Sequence, residues 1–184
     1  MENNKPVAPS FSFFKRPVTN TVPAREVDLV HIYNLIKGPS LEEITLCLRS
    51  IANPKQGKNY KARYFHYATF SGTFKSRNDN SLIRHSGLLT IDFDDLPDPA
   101  ALKERLLKDE YFETELLFRS PSGNGLKWII PINLEQATHR EYFESISNYI
   151  LQTYHLPIDP SGKDISRACF LPHDPGVYIN PKYI

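Results

Sequence analysis

Apolar residues recur at helical spacing twice in the first third of the chain. Leu29, Ile32, Tyr33 and Ile36 form one stripe, which predicts a helix over Val27–Ile36 that Gly38-Pro39 ends. Leu41, Ile44, Leu48 and Ile51 continue an apolar face, and Ser40 with Glu43 makes a capping box, so a second helix follows and stops at Asn53-Pro54. From Tyr64 to Phe74 aromatic and β-branched residues dominate, broken only by Ser71-Gly72, and the segment reads as strand. Residues 1–25 lack such a period and read as an extended arm, with Phe11, Phe13 and Phe14 available to dock it.

From Ser86 onward the pattern becomes regular. It predicts a strand over Gly87–Phe93, then a short helix over Pro99–Leu107 with Asp98 as N-cap and Pro99 at its first position. Strands over Thr114–Arg119 and Leu126–Ile132 follow, then an amphipathic helix over Thr138–His155 with Tyr142, Ile146, Tyr149, Ile150 and Tyr154 on its buried face. Arg167–Leu171 closes the series as a strand. The β-α-β-β-α-β order is that of a ferredoxin-like unit, an α/β (α+β) fold built on one antiparallel sheet. The chain then divides into an arm, 1–25, and a domain, 26–184, made of an N-terminal helical and strand module, 26–85, and a sheet module, 86–184.

Composition narrows the class. With 184 residues, 40% of them hydrophobic and 23% charged, the chain can bury one substantial core. A formal net charge of +1 gives no global pull toward nucleic acid, so any such affinity must come from local patches. Cys47 and Cys169 lie far apart among apolar neighbours and read as two buried thiols in a cytoplasmic protein. Runs such as Trp128–Ile132 are too short to span a bilayer, and no membrane role is indicated.

The candidate chemistry lies in three segments of the sheet module. Asp92 and Asp94 are two apart on a strand and project from one face, where like charges repel unless a cation lies between them. Hard divalent cations such as Mg2+ or Mn2+ suit such oxygen ligands, and a pair of them about 3.5–4 Å apart can clamp a phosphoryl displacement. Asp159 is a third acid that the ferredoxin-like order brings to the same edge, although Asp-Pro-Ser-Gly is also an ordinary turn. Ser120-Pro-Ser122-Gly123-Asn-Gly125 exceeds what a hairpin needs, and its hydroxyls and backbone N–H groups suit phosphate oxygens. Lys127 follows on the face of the acids. Lys163 and Arg167 offer a phosphate clamp, with a structural Asp164–Arg167 pair as the plain alternative.

Between Lys55 and Arg77 there are six basic residues and no acid, interleaved with aromatics. Lys58, Lys61, Arg63, Lys75 and Arg77 in that setting suit a single-stranded nucleic-acid track, although core aromatics beside solvated cations would leave the same pattern.

Ile91-Asp-Phe-Asp94, Ser120-Pro-Ser-Gly-x-Gly-Leu-Lys127 and Ile158-Asp159 together resemble the three motifs of the archaeo-eukaryotic primase, or primase-polymerase, superfamily. Phe70-Ser-Gly-Thr-Phe74, Gly87–Asp94 and Asp164–Asp174 are similar to the VirE N-terminal type of domain found in replication proteins of mobile elements. The resemblance implies an RRM-like catalytic module of primase-polymerase type in which Asp92, Asp94 and Asp159 are catalytic metal ligands and the Ser120–Lys127 segment holds the phosphates of a nucleoside triphosphate. It implies DNA replication of a mobile element or phage-like replicon, with a single-stranded template or primer and a helicase domain or subunit as partners. Lys127 stands where the wider superfamily has a histidine. The rivals are a catalytically inactive nucleic-acid-binding module and a metal-dependent nuclease or phosphatase on the same acids.

Overall fold

Phe11, Phe13 and Phe14 are buried, and their burial turns the expected arm into part of a sheet. In the computed structural model, which describes residues 6–184, strand β1 (Ser10–Phe14) lies between β2 (Arg25–Asp28) and β3 (Tyr67–Thr69), antiparallel to both. Phe14 stacks on Tyr67 with ring centroids 4.6 Å apart and planes 5° apart. The first five residues of the expected arm lie outside the described residues.

Helix α1 (Leu29–Lys37) begins two residues later than its stripe suggested, because Val27 belongs to β2 and Asp28 caps the helix through His31 N–H at 2.8 Å. The Ser40 capping box does not form. Pro39–Leu41 makes a single 3-10 turn, so α2 (Glu42–Ser50) starts beyond the serine. The expected Tyr64–Phe74 strand is shorter and divided: α3 (Pro54–Tyr64) precedes β3, and a turn separates β3 from β4 (Gly72–Phe74), which pairs with β5 (Leu82–His85). Asn53-Pro54, where the pattern predicts a stop, also starts a helix. The Asn53 side chain accepts from Gln56 N–H, and Pro54 occupies the first turn, where its missing donor costs nothing.

The second half follows its sequence pattern closely. Strands β6 (Leu88–Phe93), β7 (Leu116–Arg119) and β8 (Leu126–Pro131) form an antiparallel sheet with β8 between the other two, and β10 (Tyr178–Ile179) extends it beside β7. Helix α4 (Pro99–Leu106) is capped by Asp98, and α5 (His139–Tyr154) carries the Thr138–Glu141 capping box. Phe143 and His139 replace Tyr142 and Tyr149 among the buried residues of α5, and the two tyrosines are partly buried. The fourth strand departs from the ferredoxin-like order. β9 (Cys169–Phe170) pairs with β3 in the first sheet, not with β6. Pro157 and Pro160 supply no backbone donors, and the segment crosses the end of β6 with a bond from Asp159 N–H to Asp92 C=O before turning away.

Alternation along β6 and β8 sets the layers. Leu89, Ile91, Phe93, Leu126, Trp128 and Ile130 face α4 and α5, while Leu88 and Ile129 face the first sheet and α1. Asp92 and Lys127 point to that second side, where the inter-sheet face changes from apolar to charged at one end. Cys47 is exposed on α2, contrary to the expected burial, whereas Cys169 is buried. No helix among the described residues is long and apolar enough to cross a membrane.

If β1 is integral, Phe14→Ala will lower unfolding stability by about 3–5 kcal/mol, as for other fully buried phenylalanines. Urea unfolding measures this, and an unchanged midpoint would return the segment to a dispensable arm.

Candidate functional site

Where the charged end of the two-sheet interface opens, it forms a cleft of about 990 Å³. Asp92 and Asp94 reach it from the end of β6, and Asp159 reaches it from the loop after α5. One carboxylate oxygen of each lies within 4.8 Å of the others, so the three acids expected to converge do so. The backbone bond from Asp159 to Asp92 fixes this approach without a fourth strand in the sheet.

Each acid has a different environment. Asp92 is 9% exposed and directly opposite Lys127 across the β6–β8 ladder, and its Oδ2 contacts the Lys127 ammonium. Its Oδ1 is buried and has no hydrogen-bond partner among the described residues. Such an atom normally costs stability, and an oxygen-seeking cation is one way to satisfy it. Asp94 faces the cleft, where desolvation by its walls and then the charge of Asp92 and Asp159 push its carboxyl above the ordinary range, with Lys127 and Lys61 opposing. Asp159 is desolvated too, but it accepts from the Ser161 hydroxyl at 2.6 Å and amide at 2.9 Å and pairs with Arg167 at 2.7 Å. These partners outweigh desolvation and hold its pKa below the usual carboxylate value.

The glycine-serine turn is locked to the acids. Leu96 N–H donates to Asn124 C=O, and the Asn124 amide donates to Asp95 Oδ1, both at 2.7 Å. Gly125 lies so close to β6 that a Cβ there would stand 2.2 Å from the Phe93 carbonyl oxygen, which is why that position has no side chain. Gly123 takes a left-handed φ of 87° in the turn. Ser122 lines the cleft with Asn124, whereas Ser120 is buried and Ser120, Gly123 and Gly125 shape the turn without lining the cleft.

The other predicted cations separate into two sets. Lys127 and Arg167 line the cleft, each on an acid, and Arg167 pairs with Asp159, not with Asp164. Lys163 is exposed and lies off the cleft. The basic segment is not one continuous track. Lys58 and Lys61 come from α3 and line the cleft, Arg77 lines it too with its guanidinium held by the Tyr67 hydroxyl and the Val18 carbonyl, and Arg63 and Lys75 do not line it. Tyr67, Phe70 and Phe74 are core residues. Burial and the nearby Lys127 charge lower the Lys61 pKa, with Asp92 and Asp94 opposing, so its ammonium belongs to the same electrostatic centre.

Sequence reading missed Arg49. It stands in the last turn of α2, lines the cleft, and donates to the carbonyls of Pro121 at 3.2 Å and Ser120 at 3.4 Å. Ser161 was missed likewise as the hydroxyl that holds Asp159. Beneath this loop, His139 contacts the Gly162 carbonyl at 3.2 Å and His85 at 3.1 Å. Burial and then its neighbour His139 push the His85 pKa down to about 4, so His85 is neutral near pH 7.

The fold and this cleft define an α+β domain with an acidic cluster at the open end of two packed sheets. Residues 59–179 match the family described as BT4734-like, N-terminal domain, and the chain belongs to that family. No curated protein and no solved structure matches it.

Because the Asp94 carboxyl lies above its ordinary value of 3.8, its charge opposes folding at neutral pH. This penalty is absent below the unfolded pKa and grows as pH rises through the folded pKa. In chelator, Asp94→Asn will therefore melt at or above the wild-type temperature at pH 7, and the gain will vanish toward pH 3. Thermal melts across that range check it, and a variant less stable at pH 7 would make Asp94 a structural residue.

Proposed function

We propose that the cleft is a metal-dependent nucleotidyl-transfer site of primase-polymerase kind, in which Asp92, Asp94 and Asp159 would hold Mg2+ or Mn2+. The observation that carries this reading is the cluster of three carboxylates with the buried, unpartnered Asp92 Oδ1 among them. All of these oxygens suit hard divalent cations. When bound, such ions supply Lewis-acid stabilisation of the attacking and leaving oxygens of a phosphoryl displacement.

The distribution of charge supports a phosphate-bearing substrate. Acids occupy the β6 end and the Asp159 loop, while Arg49, Lys58 and Lys61 on the α2–α3 wall have no carboxylate within ion-pair distance among the described residues. Cations that lack a carboxylate partner, beside acids that would hold a metal, would orient the polyphosphate tail of a nucleoside triphosphate, arginine by its fork and lysine as a point charge. A single-stranded template or primer would supply the attacking hydroxyl. The order β6-β8-β7 matches the first three strands of an RRM-like core, and we read the second half of the chain as that catalytic module. In this reading the protein serves DNA replication of a mobile element or phage-like replicon in the cytoplasm, beside a helicase domain or subunit.

One observation favours a second reading. The Lys127 ammonium already neutralises Asp92, as it would in a module that binds nucleic acid without catalysis. Asp94→Asn separates the two, because among the described residues Asp94 has no ion-pair partner to leave stranded, whereas Asp92→Asn would leave Lys127 buried without its Asp92 partner. Manganese-dependent incorporation of labelled nucleotides should fall by about 100-fold or more in Asp94→Asn, with oligonucleotide binding in chelator retained. Incorporation absent from the wild type with oligonucleotide binding intact would establish the inactive module, and full activity in the variant would remove Asp94 from the site.

A further inference from the structure

We infer that Lys127 is the resident counter-ion of the acidic cluster, and that a divalent cation binds by displacing its ammonium from Asp92 and turning it toward substrate phosphates. This rests on the metal-site reading above and adds a specific exchange to it.

The Lys127 side chain is 10% exposed, lies directly opposite Asp92 in the ladder and contacts Oδ2, while Oδ1 of the same carboxylate has no partner among the described residues. Among the groups in direct contact, three carboxylates face two basic groups, Lys127 and Arg167, which leaves one net negative charge before the nearby Lys61 ammonium is counted. A divalent ion is better matched by more negative charge than that. Without Lys127 two negative charges remain, the complement of one such ion. An ion entering at Oδ1 would also stand beside the ammonium across one carboxylate group, and two cations repel at that range.

Of the two basic groups, Lys127 is the one able to leave. Arg167 belongs to a network in which Asp159 is also held by both donors of Ser161, whereas Lys127 is a point charge on a flexible stem with its ammonium on a single carboxylate. The cleft that it lines, together with Ser122, Asn124 and Lys61, is the space into which the ammonium would turn. Lys127 therefore plays two parts at different times. It screens the acids before the cation arrives, and it meets phosphate afterwards.

Two measurements test the exchange. Manganese binding, read from the electron paramagnetic resonance of the free ion, should be tighter in Lys127→Met than in the wild type by about tenfold or more, because the competitor is gone. The thermal shift produced by manganese should also be larger in the variant, whose Asp92 lacks a counter-ion until the metal binds. Should the variant fail to fold, the wild type alone decides: acylation of Lys127 by an amine reagent, read by mass spectrometry, should rise several-fold in saturating Mg2+. Equal or weaker manganese binding by a folded variant, or Lys127 labelling unchanged while the wild type binds manganese, would overturn the exchange and leave the metal site standing. No manganese binding by either protein would overturn both.

Discussion

Three carboxylates held within 4.8 Å of one another impose the constraint that organises this protein. Each pair of unit charges about 4 Å apart repels by about 4 kcal/mol at an effective dielectric of about 20, so the fold must supply compensation. It does so unequally. Among the described residues, Asp159 receives Ser161 and Arg167, Asp92 receives Lys127 on one oxygen only, and Asp94 receives no direct partner. The cluster is thus only partly neutralised, and the proposed cation would complete the compensation.

The architecture places this cluster without an elaborate scaffold. Two sheets pack through Phe11, Phe70, Phe118 and Ile129, and the same face becomes Asp92 and Lys127 where the sheets part. Phe70 and Phe118 meet across that interface with ring centroids 6.4 Å apart, which fixes the first sheet on the second. Helices α2 and α3 wall the opening, so residues from the first half of the chain complete a site whose acids come from the second. The glycine-serine turn contributes by proximity. Its backbone lies against the Phe93 carbonyl, and Asn124 ties it to the residues just after Asp94.

Elements with a strong local pattern were legible in the sequence. β6, β7, β8, α4 and α5 appear within two residues of their expected bounds, because alternation, an Asp-Pro start and a capping box each act locally. The convergence of Asp92, Asp94 and Asp159 was legible as well, although the route differs: a single backbone bond replaces the expected strand pairing. Other features were hidden because tertiary contacts decide them. β1 has no period of its own and becomes strand by burying three phenylalanines, while α3 buries no residue fully and shows only its Asn53-Pro54 start. Arg49 could not be read from its neighbours, since its partners are carbonyls more than seventy residues away.

The most direct test of the account is a crystal soaked with manganese and a nucleoside triphosphate, recorded at the manganese absorption edge. The account predicts an anomalous peak in contact with Asp92, Asp94 and Asp159, with the Lys127 ammonium off Asp92 and the polyphosphate directed toward Arg49, Lys58 and Lys61. An absent peak in a fully soaked crystal, with Lys127 still on Asp92 and the cleft free of phosphate, would contradict it.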